Sequence, residues 1–248
     1  MAISLDDLAR RQLGDFRNLT PGTCFDGEGV DLDLDQAYGL QEAVARLRVA
    51  EGERVAGYKV GCTGPGIFAL FGMRGPIRAH LFESELRPSG VELDHRNFAN
   101  LAIEGEMALR VGPDGGIAAA FPIIELHNFV FRRPQKTLVE LVANNGINTG
   151  VVLPEDETPW PGTSTRVGTV LGVTLNGESI ETGDLWPLPG GAEESLAWLK
   201  DNLGPAGLPL REGDLVLAGT PLGLHPLKPG DHVAVTLDGA PKVECRVV

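Results

Sequence analysis

Glycine and proline break this chain at short intervals, and that punctuation limits its fold more than any other feature. With 33 glycines and 18 prolines in 248 residues, the pair far exceeds the roughly 12% share usual for them. They separate short apolar runs, the mark of a strand-rich chain. Strands are expected over 53–62, 100–111, 116–131, 166–180, 213–219 and 231–239. Asn176-Gly177 and Asp238-Gly239 are hairpin-turn dipeptides. The phrases Leu210–Val216 and Leu227–Val233 each place a Gly-Asp turn before an apolar run, a turn launching a strand twice rather than a solenoid repeat. The first 50 or so residues differ, because their apolar positions recur at helical spacing. Ala37, Leu40, Val44 and Leu47 share one face of a helix expected over 34–52, with Asp35 as N-cap and Gly52 as C-cap. Further helices are expected around 135–145 and 192–204. The class is α+β and β-rich, with residues 1–54 as an N-terminal helical extension and 55–248 as a β-rich catalytic domain.

Charge and cysteine content narrow the function. Basic residues number 21 and acidic ones 34, a net charge of −13 with a pI near 4.8. Such acidity argues against nucleic-acid or anionic-membrane binding, which need basic patches. Cys24, Cys62 and Cys245 are odd in number and widely spaced. That excludes a disulfide scaffold or zinc ribbon and fits a reducing cytoplasm. The amphipathic start contains Asp6 and Asp7 and lacks a signal-peptide core, and no apolar stretch nears the ~18–20 residues that span a bilayer. The expectation is a cytoplasmic protein with no membrane partner.

Four places can carry chemistry. Glu104 and Glu106 lie two apart in a strand-like run and project from one face, with Ile103, Met107, Leu109 and Val111 opposite. Two like charges side by side repel unless a cation or proton lies between them; the alternative is the wet face of a half-buried strand. Glu125 sits among apolar neighbours, where an ionised carboxylate must be paired or bind a metal. Three carboxylates form a hard oxygen set suited to Mg²⁺ or Mn²⁺; a Glu bonded to an arginine or to amides is the competing reading. His127 shares the face of Glu125, as a group supporting the metal ligands or as a satisfied core histidine. Lys59, between Gly57 and Gly61, points away from Tyr58 and Val60, either to hold a carboxylate and move protons or to snorkel at the surface. In the loop 219–223, Thr220 offers a hydroxyl and an N–H to an anion.

Other motifs fail on context. Gly64-Pro-Gly66-Ile-Phe-Ala69 matches a dinucleotide fingerprint, yet Gly72, Gly75 and Pro76 interrupt the helix it needs. No Walker loop or nucleophile elbow occurs, and Cys62 has no positioned histidine and reads as core filler.

Together, GYKVGCT (57–63), GPIRAHLFES (75–84), IEGEMAL (103–109), IIELHN (123–128), SLAWL (195–199) and GDLVLAGTPLG (213–223) resemble the fumarylacetoacetate hydrolase superfamily, in its hydratase/decarboxylase branch. The resemblance implies a mixed β-sheet roll, homo-oligomers, and a divalent metal on Glu104, Glu106 and Glu125 that chelates a small 2-oxo acid. It carries Lys59 over as an active-site residue and aligns Asn145 with a polar segment that follows the third metal ligand. Hydrolase members place a histidine just before the first metal Glu; here Leu101-Ala102-Ile103 stands there, which ranks hydratase above hydrolase. The resemblance implies water addition to a 2-hydroxydienoate or 2-oxo-enoate, with Lys59 as anchor or proton carrier. Decarboxylation of a 2-oxo-enedioate is the first rival. Hydrolysis with His80 as base is the second, and a non-catalytic 2-oxo-acid-binding protein the third. Arg78 and His80 are candidates for a second substrate carboxylate, with Asn145 and Thr220 as further substrate contacts. Gly72, Gly75 and Pro76 suit a lid over 72–87.

Overall fold

The structure is a computed structural model and describes residues 4–20, 22–25, 31–64, 66–128, 137–162 and 168–248. The expected strand ends at 129–131 and 166–167 lie outside these residues. Two helices come first, α1 (Leu5–Arg17) and α2 (Leu34–Ala50). The next elements are β1 (Val55–Gly61), the short α3 (Ile67–Phe71), β2 (Ile77–Phe82), β3 (Leu86–Pro88) and β4 (Val91–Leu93). A long hairpin of β5 (Leu101–Val111) and β6 (Ile117–Asn128) precedes α4 (Leu138–Ala143) and β7 (Asn148–Leu153). The remaining elements are β8 (Val170–Leu175), β9 (Glu178–Asp184), α5 (Gly191–Leu203), β10 (Leu215–Leu217), β11 (His225–Pro226), β12 (His232–Leu237) and β13 (Ala240–Val247).

Local chemistry explains the boundaries. Helix α2 starts at Asp33 rather than Asp35: the Asp33 carboxylate accepts from Gln36 N–H, and the Gln36 side chain accepts from Asp33 N–H. This reciprocal capping box satisfies two donors at once, which Asp35, already in the first turn, cannot do. At the other end Glu51 is the C-cap, and Gly52 follows with φ 100°. Asn176-Gly177 and Asp238-Gly239 turn the β8–β9 and β12–β13 hairpins with positive φ at both residues. The twin Gly-Asp phrases make the same turn: Asp214 accepts from Arg211 N–H and Asp231 from Lys228 N–H. The stretch over 72–87 is not a lid loop, because residues 77–82 form the wholly buried strand β2.

Two sheets result. The larger runs β2-β1-β10-β5-β6-β7-β3, with β11 on β5; the smaller runs β4-β13-β12-β8-β9. The larger sheet curls so that β2 returns towards β7. Leu81 and Val151 share one core cluster, and the Asn145 side chain clamps the backbone of His80, accepting from its N–H and donating to its carbonyl, both at 2.8 Å. Inside the curl lie Ala108, Phe121, Ile123, Leu215 and Leu217. Outside, Ile103 and Met107 pack on Val173 and Val235 of the smaller sheet, while Tyr58, Val60 and Leu109 pack on Leu196 and Leu199 of α5. Gly105 permits the inter-sheet approach, since a Cβ there would sit 2.6 Å from Val173 Cγ2. Helices α1 and α2 close another side, where Leu8, Ala9 and Leu40 meet Ile77 and Val142. Among the described residues no helix is long and apolar enough to cross a membrane.

Candidate metal and substrate site

Period-two geometry assembles the site on the inner face of the curl. Glu104 and Glu106 project together from β5, and Glu125 stands opposite Glu104 in the β5–β6 register. His127 follows two residues after Glu125 on the same face. Lys59 lies on β1, opposite Leu217 of β10 and Ala79 of β2, both of which point inward. All five line a cavity of about 530 Å³. Its walls are largely apolar, including Ile67, Phe71, Leu141, Ile147 and Leu222, and Glu181 also lines it. A far smaller void of about 30 Å³ lies apart, beneath α1 and α2.

The charges here are deeply buried. Lys59 is 3% exposed, Glu106 1% and Glu125 0%, so Lys59 does not snorkel. Lys59 Nζ donates to Glu125 Oε1 at 2.5 Å and to the Gly146 carbonyl at 3.3 Å. Burial alone would lower the lysine, but Glu125, Glu104 and Glu106 outweigh it and raise its pKa. Burial likewise would raise Glu125, yet Lys59, His127 and the Asn148 amide hold it below the usual carboxylate range. Glu106 has less support: burial and then the Glu125 carboxylate push it well above that range, against the pull of Lys59 and the Gly219 N–H. That N–H donates to Glu106 Oε1 at 2.5 Å. Gly219 has φ 87°, and a Cβ there would strike Thr63, so glycine is what lets the loop 219–223 reach the carboxylate.

The expected site residues divide into two groups. Lys59, Glu104, Glu106, Glu125 and Thr220 are brought to the cavity. Thr220 uses its polar groups within the protein: its hydroxyl donates to the Gly105 carbonyl at 2.7 Å and its N–H to Thr63 Oγ1 at 3.0 Å. Asn145 is committed to clamping His80. Arg78 and His80 are not brought to the cluster. Opposite Val60 and Tyr58 in the β1–β2 register, they point to the outer face under α2. There Arg78 Nη2 lies 3.0 Å and His80 Nε2 3.3 Å from the Glu42 carboxylate.

Two contributions were not foreseen from the sequence, and a third, from His127, was expected only as support for the metal ligands or as a core histidine. Asn148 Nδ2 donates to Glu125 Oε1 at 2.8 Å. Residues 145, 146 and 147 all have positive φ, a sequence of left-handed residues that is costly at the β-branched Ile147; it presents the Gly146 carbonyl to Lys59. His127 Nε2 lies 3.1 Å from Glu104 Oε2 and 3.6 Å from Glu125 Oε2. Sharing a strand face with Glu125 was its only signal in the sequence.

These donors fit a divalent cation. Glu104, Glu125 and His127 each offer a ligand atom, all within 4.8 Å of one another, a grouping that takes in His127 and leaves out Glu106. Glu125 Oε2 is buried without a hydrogen-bond partner, which is costly for a carboxylate unless a cation completes it.

A curled sheet braced by a second sheet, with carboxylates and a buried lysine inside the curl, defines the class as a β-roll of the fumarylacetoacetate hydrolase type, with a donor set that could hold a metal. Residues 135–248 match the family model described as fumarylacetoacetate (FAA) hydrolase C-terminal. A 4-oxalocrotonate decarboxylase of Pseudomonas sp. (strain CF600) is 26% identical over 232 residues, 88% of this chain and 87% of that protein. A 2-hydroxyhexa-2,4-dienoate hydratase of Comamonas testosteroni is 25% identical over 223 residues, 84% of each. In fold, the chain matches a 4-oxalocrotonate decarboxylase from Pseudomonas putida G7, complexed with magnesium and adipate, with a TM-score of 0.90 over 98% of this chain and 97% of that one, at 21% identity. The chain is thus similar to fumarylacetoacetate hydrolase proteins: its C-terminal part matches the family model, and its curated relatives are named hydratases and decarboxylases.

Proposed function

We propose that this protein is a divalent-metal-dependent lyase, using Mg²⁺ or Mn²⁺, that adds water to a 2-hydroxydienoate or 2-oxo-enoate such as 2-oxopent-4-enoate. The observation that carries the reading is a cavity lined by three carboxylates and a buried ammonium bonded to Glu125, whose Oε2 has no hydrogen-bond partner. The curated hydratase and decarboxylase relatives support the same chemistry. When bound, the cation supplies Lewis acidity to the carboxylate and 2-oxo oxygens of the substrate.

Glu104, Glu106 and Glu125 hold that cation, and the Gly219 N–H fixes the rotamer of Glu106. Lys59 keeps two of its three donors on Glu125 and Gly146, which aims the ammonium and leaves a third N–H for the substrate. It anchors the substrate carboxylate or delivers a proton to the dienol carbon, ketonising it and exposing an electrophilic alkene to water. The apolar walls formed by Ile67, Phe71 and Leu222 take the hydrocarbon tail and limit competing water. Thr220 positions the 219–223 loop, and Asn145 positions β2 beneath Lys59. Arg78 and His80 have no part in this reading, given their outward direction. Residues 1–54 act as an extension bracing β2 and α4, and residues 55–248 carry the chemistry. The protein works in the cytoplasm, in the breakdown of aromatic compounds, as a homo-oligomer.

Decarboxylation of a 2-oxo-enedioate is the second reading, supported by the Pseudomonas relative that spans 88% of this chain. The two separate in one experiment with Mg²⁺ and a panel of 2-hydroxydienoates, followed by dienol absorbance and product mass. Gain of one water is the expected result; loss of CO₂ would establish the decarboxylase. Cleavage into two fragments, or no turnover of any substrate, would overturn the lyase reading.

A further inference from the structure

We propose that His127 is itself a ligand of the metal, giving this site a mixed nitrogen and oxygen donor set that favours a transition ion such as Mn²⁺ over Mg²⁺. The inference rests on the metal-site reading above and adds to it a residue and a selectivity.

The imidazole enters the cluster from β6, two residues beyond Glu125, and is 2% exposed. Its Nε2 lies 3.1 Å from Glu104 Oε2 and 3.6 Å from Glu125 Oε2. Donors on adjacent corners of an octahedral ion with bonds near 2.1 Å sit about 3.0 Å apart, so the Glu104–His127 spacing already matches one edge. Glu125 divides its two oxygens to suit. Oε1 takes Lys59 and Asn148, while Oε2 has no hydrogen-bond partner and is the atom nearer His127. A cation on Oε2 therefore leaves the Lys59 contact intact.

Without a cation the Nε2 faces both Glu104 and Glu125; with one, its lone pair would go to the ion that those carboxylates share. Oxygen-only sites suit Mg²⁺, and an added imidazole shifts preference towards transition ions, which gain more from nitrogen than Mg²⁺ does. Glu106 is compatible with the larger set, because its Oε1 is already held by Gly219.

The test uses the full-length protein loaded with Mn²⁺. Pulsed electron paramagnetic resonance of the wild type should show ¹⁴N modulation from a directly bound imidazole, absent in His127→Gln. In parallel, titrations of wild type and variant with Mn²⁺ and Mg²⁺ should show the Mn²⁺:Mg²⁺ affinity ratio falling by about tenfold or more in the variant, with Mg²⁺ binding retained. Mn²⁺ bound by the wild type without ¹⁴N modulation would overturn the proposal and leave the metal site standing, as would an unchanged ratio. No uptake of either ion by the wild type would overturn the metal-site reading itself. If His127→Gln does not fold, the wild-type spectrum alone decides.

Discussion

Lys59 supplies the cationic counterweight to the carboxylates inside the roll, so removing it should separate two effects. In Lys59→Met the metal-free protein loses the partner of a fully buried Glu125, a change that costs about 3–5 kcal/mol. Added Mn²⁺ should restore part of that stability, because a cation again faces the carboxylates. Turnover should stay about 10²- to 10⁴-fold down, since no ammonium remains to orient the substrate or carry the proton. Thermal melts with and without Mn²⁺, beside dienoate turnover, check both; near-wild-type turnover would remove Lys59 from the mechanism. In the core between the two sheets, burial pushes the Cys245 thiol up to about 12. Alkylation of the native protein near the ordinary thiol pKa of about 8.5 should leave Cys245 unlabelled in peptide maps, and unfolding should expose it. Strand parity made the shared face of Glu104 and Glu106 legible, and also the opposition of Lys59 to Tyr58. Register was not legible. Pairing Lys59 with Ala79 sends Arg78 and His80 outward with Val60 and Tyr58, and no pattern within residues 75–84 contains that fact.

Among the elements, β5 carries the tightest steric requirement because it serves both faces of its sheet. Gly105→Ala would place a methyl 2.6 Å from Val173 Cγ2 and 3.1 Å from Val235 Cγ2, prising the sheets apart. A loss of about 1–3 kcal/mol is expected, read as a lower denaturation midpoint with an unchanged slope. Helix α2 has a different vulnerability at its C-terminal end. Burial would raise Glu53, but the hydrogen bonds from Arg48 and Ser84 outweigh it and lower its pKa. A carboxyl lowered on folding stabilises above its unfolded pKa, and that contribution is lost as pH falls through the lowered value. Glu53→Gln should therefore be less stable than wild type at neutral pH, with the gap closing below about pH 4; melts across that range check it. The hairpins on Asn176-Gly177 and Asp238-Gly239 could be read from sequence, because turn chemistry is local. Whether 72–87 is a lid is not legible in the sequence: Gly72, Gly75 and Pro76 suit one, but the burial of 77–82 comes from distant partners in β1 and α2.

For the molecule as a whole, the roll depends on burying several carboxylates with one ammonium in a chain already at −13. The fold class followed from punctuation and periodicity, and the curl that turns one sheet face into a cavity followed from neither. With the proposed metal site, that curl would make metal binding a contribution to folding, because the unfolded chain cannot bring Glu104, Glu106 and Glu125 together. A ligand that binds only the folded state stabilises it by about 2.7 kcal/mol at one hundred times its dissociation constant. For a chain of this size that is a rise in Tm of about 5–10 °C. Excess negative charge creates a second effect that must be separated, since any salt screens repulsion across the surface. Matched ionic strength does this. Sodium chloride reaches the exterior charges but gives little relief to the buried cluster, so Mn²⁺ should raise Tm well beyond sodium chloride at equal ionic strength. Glu125→Gln should abolish the difference while keeping the common salt effect. An equal rise with both salts in the wild type would mean that the inner carboxylates hold no cation, and that Lys59 alone balances them.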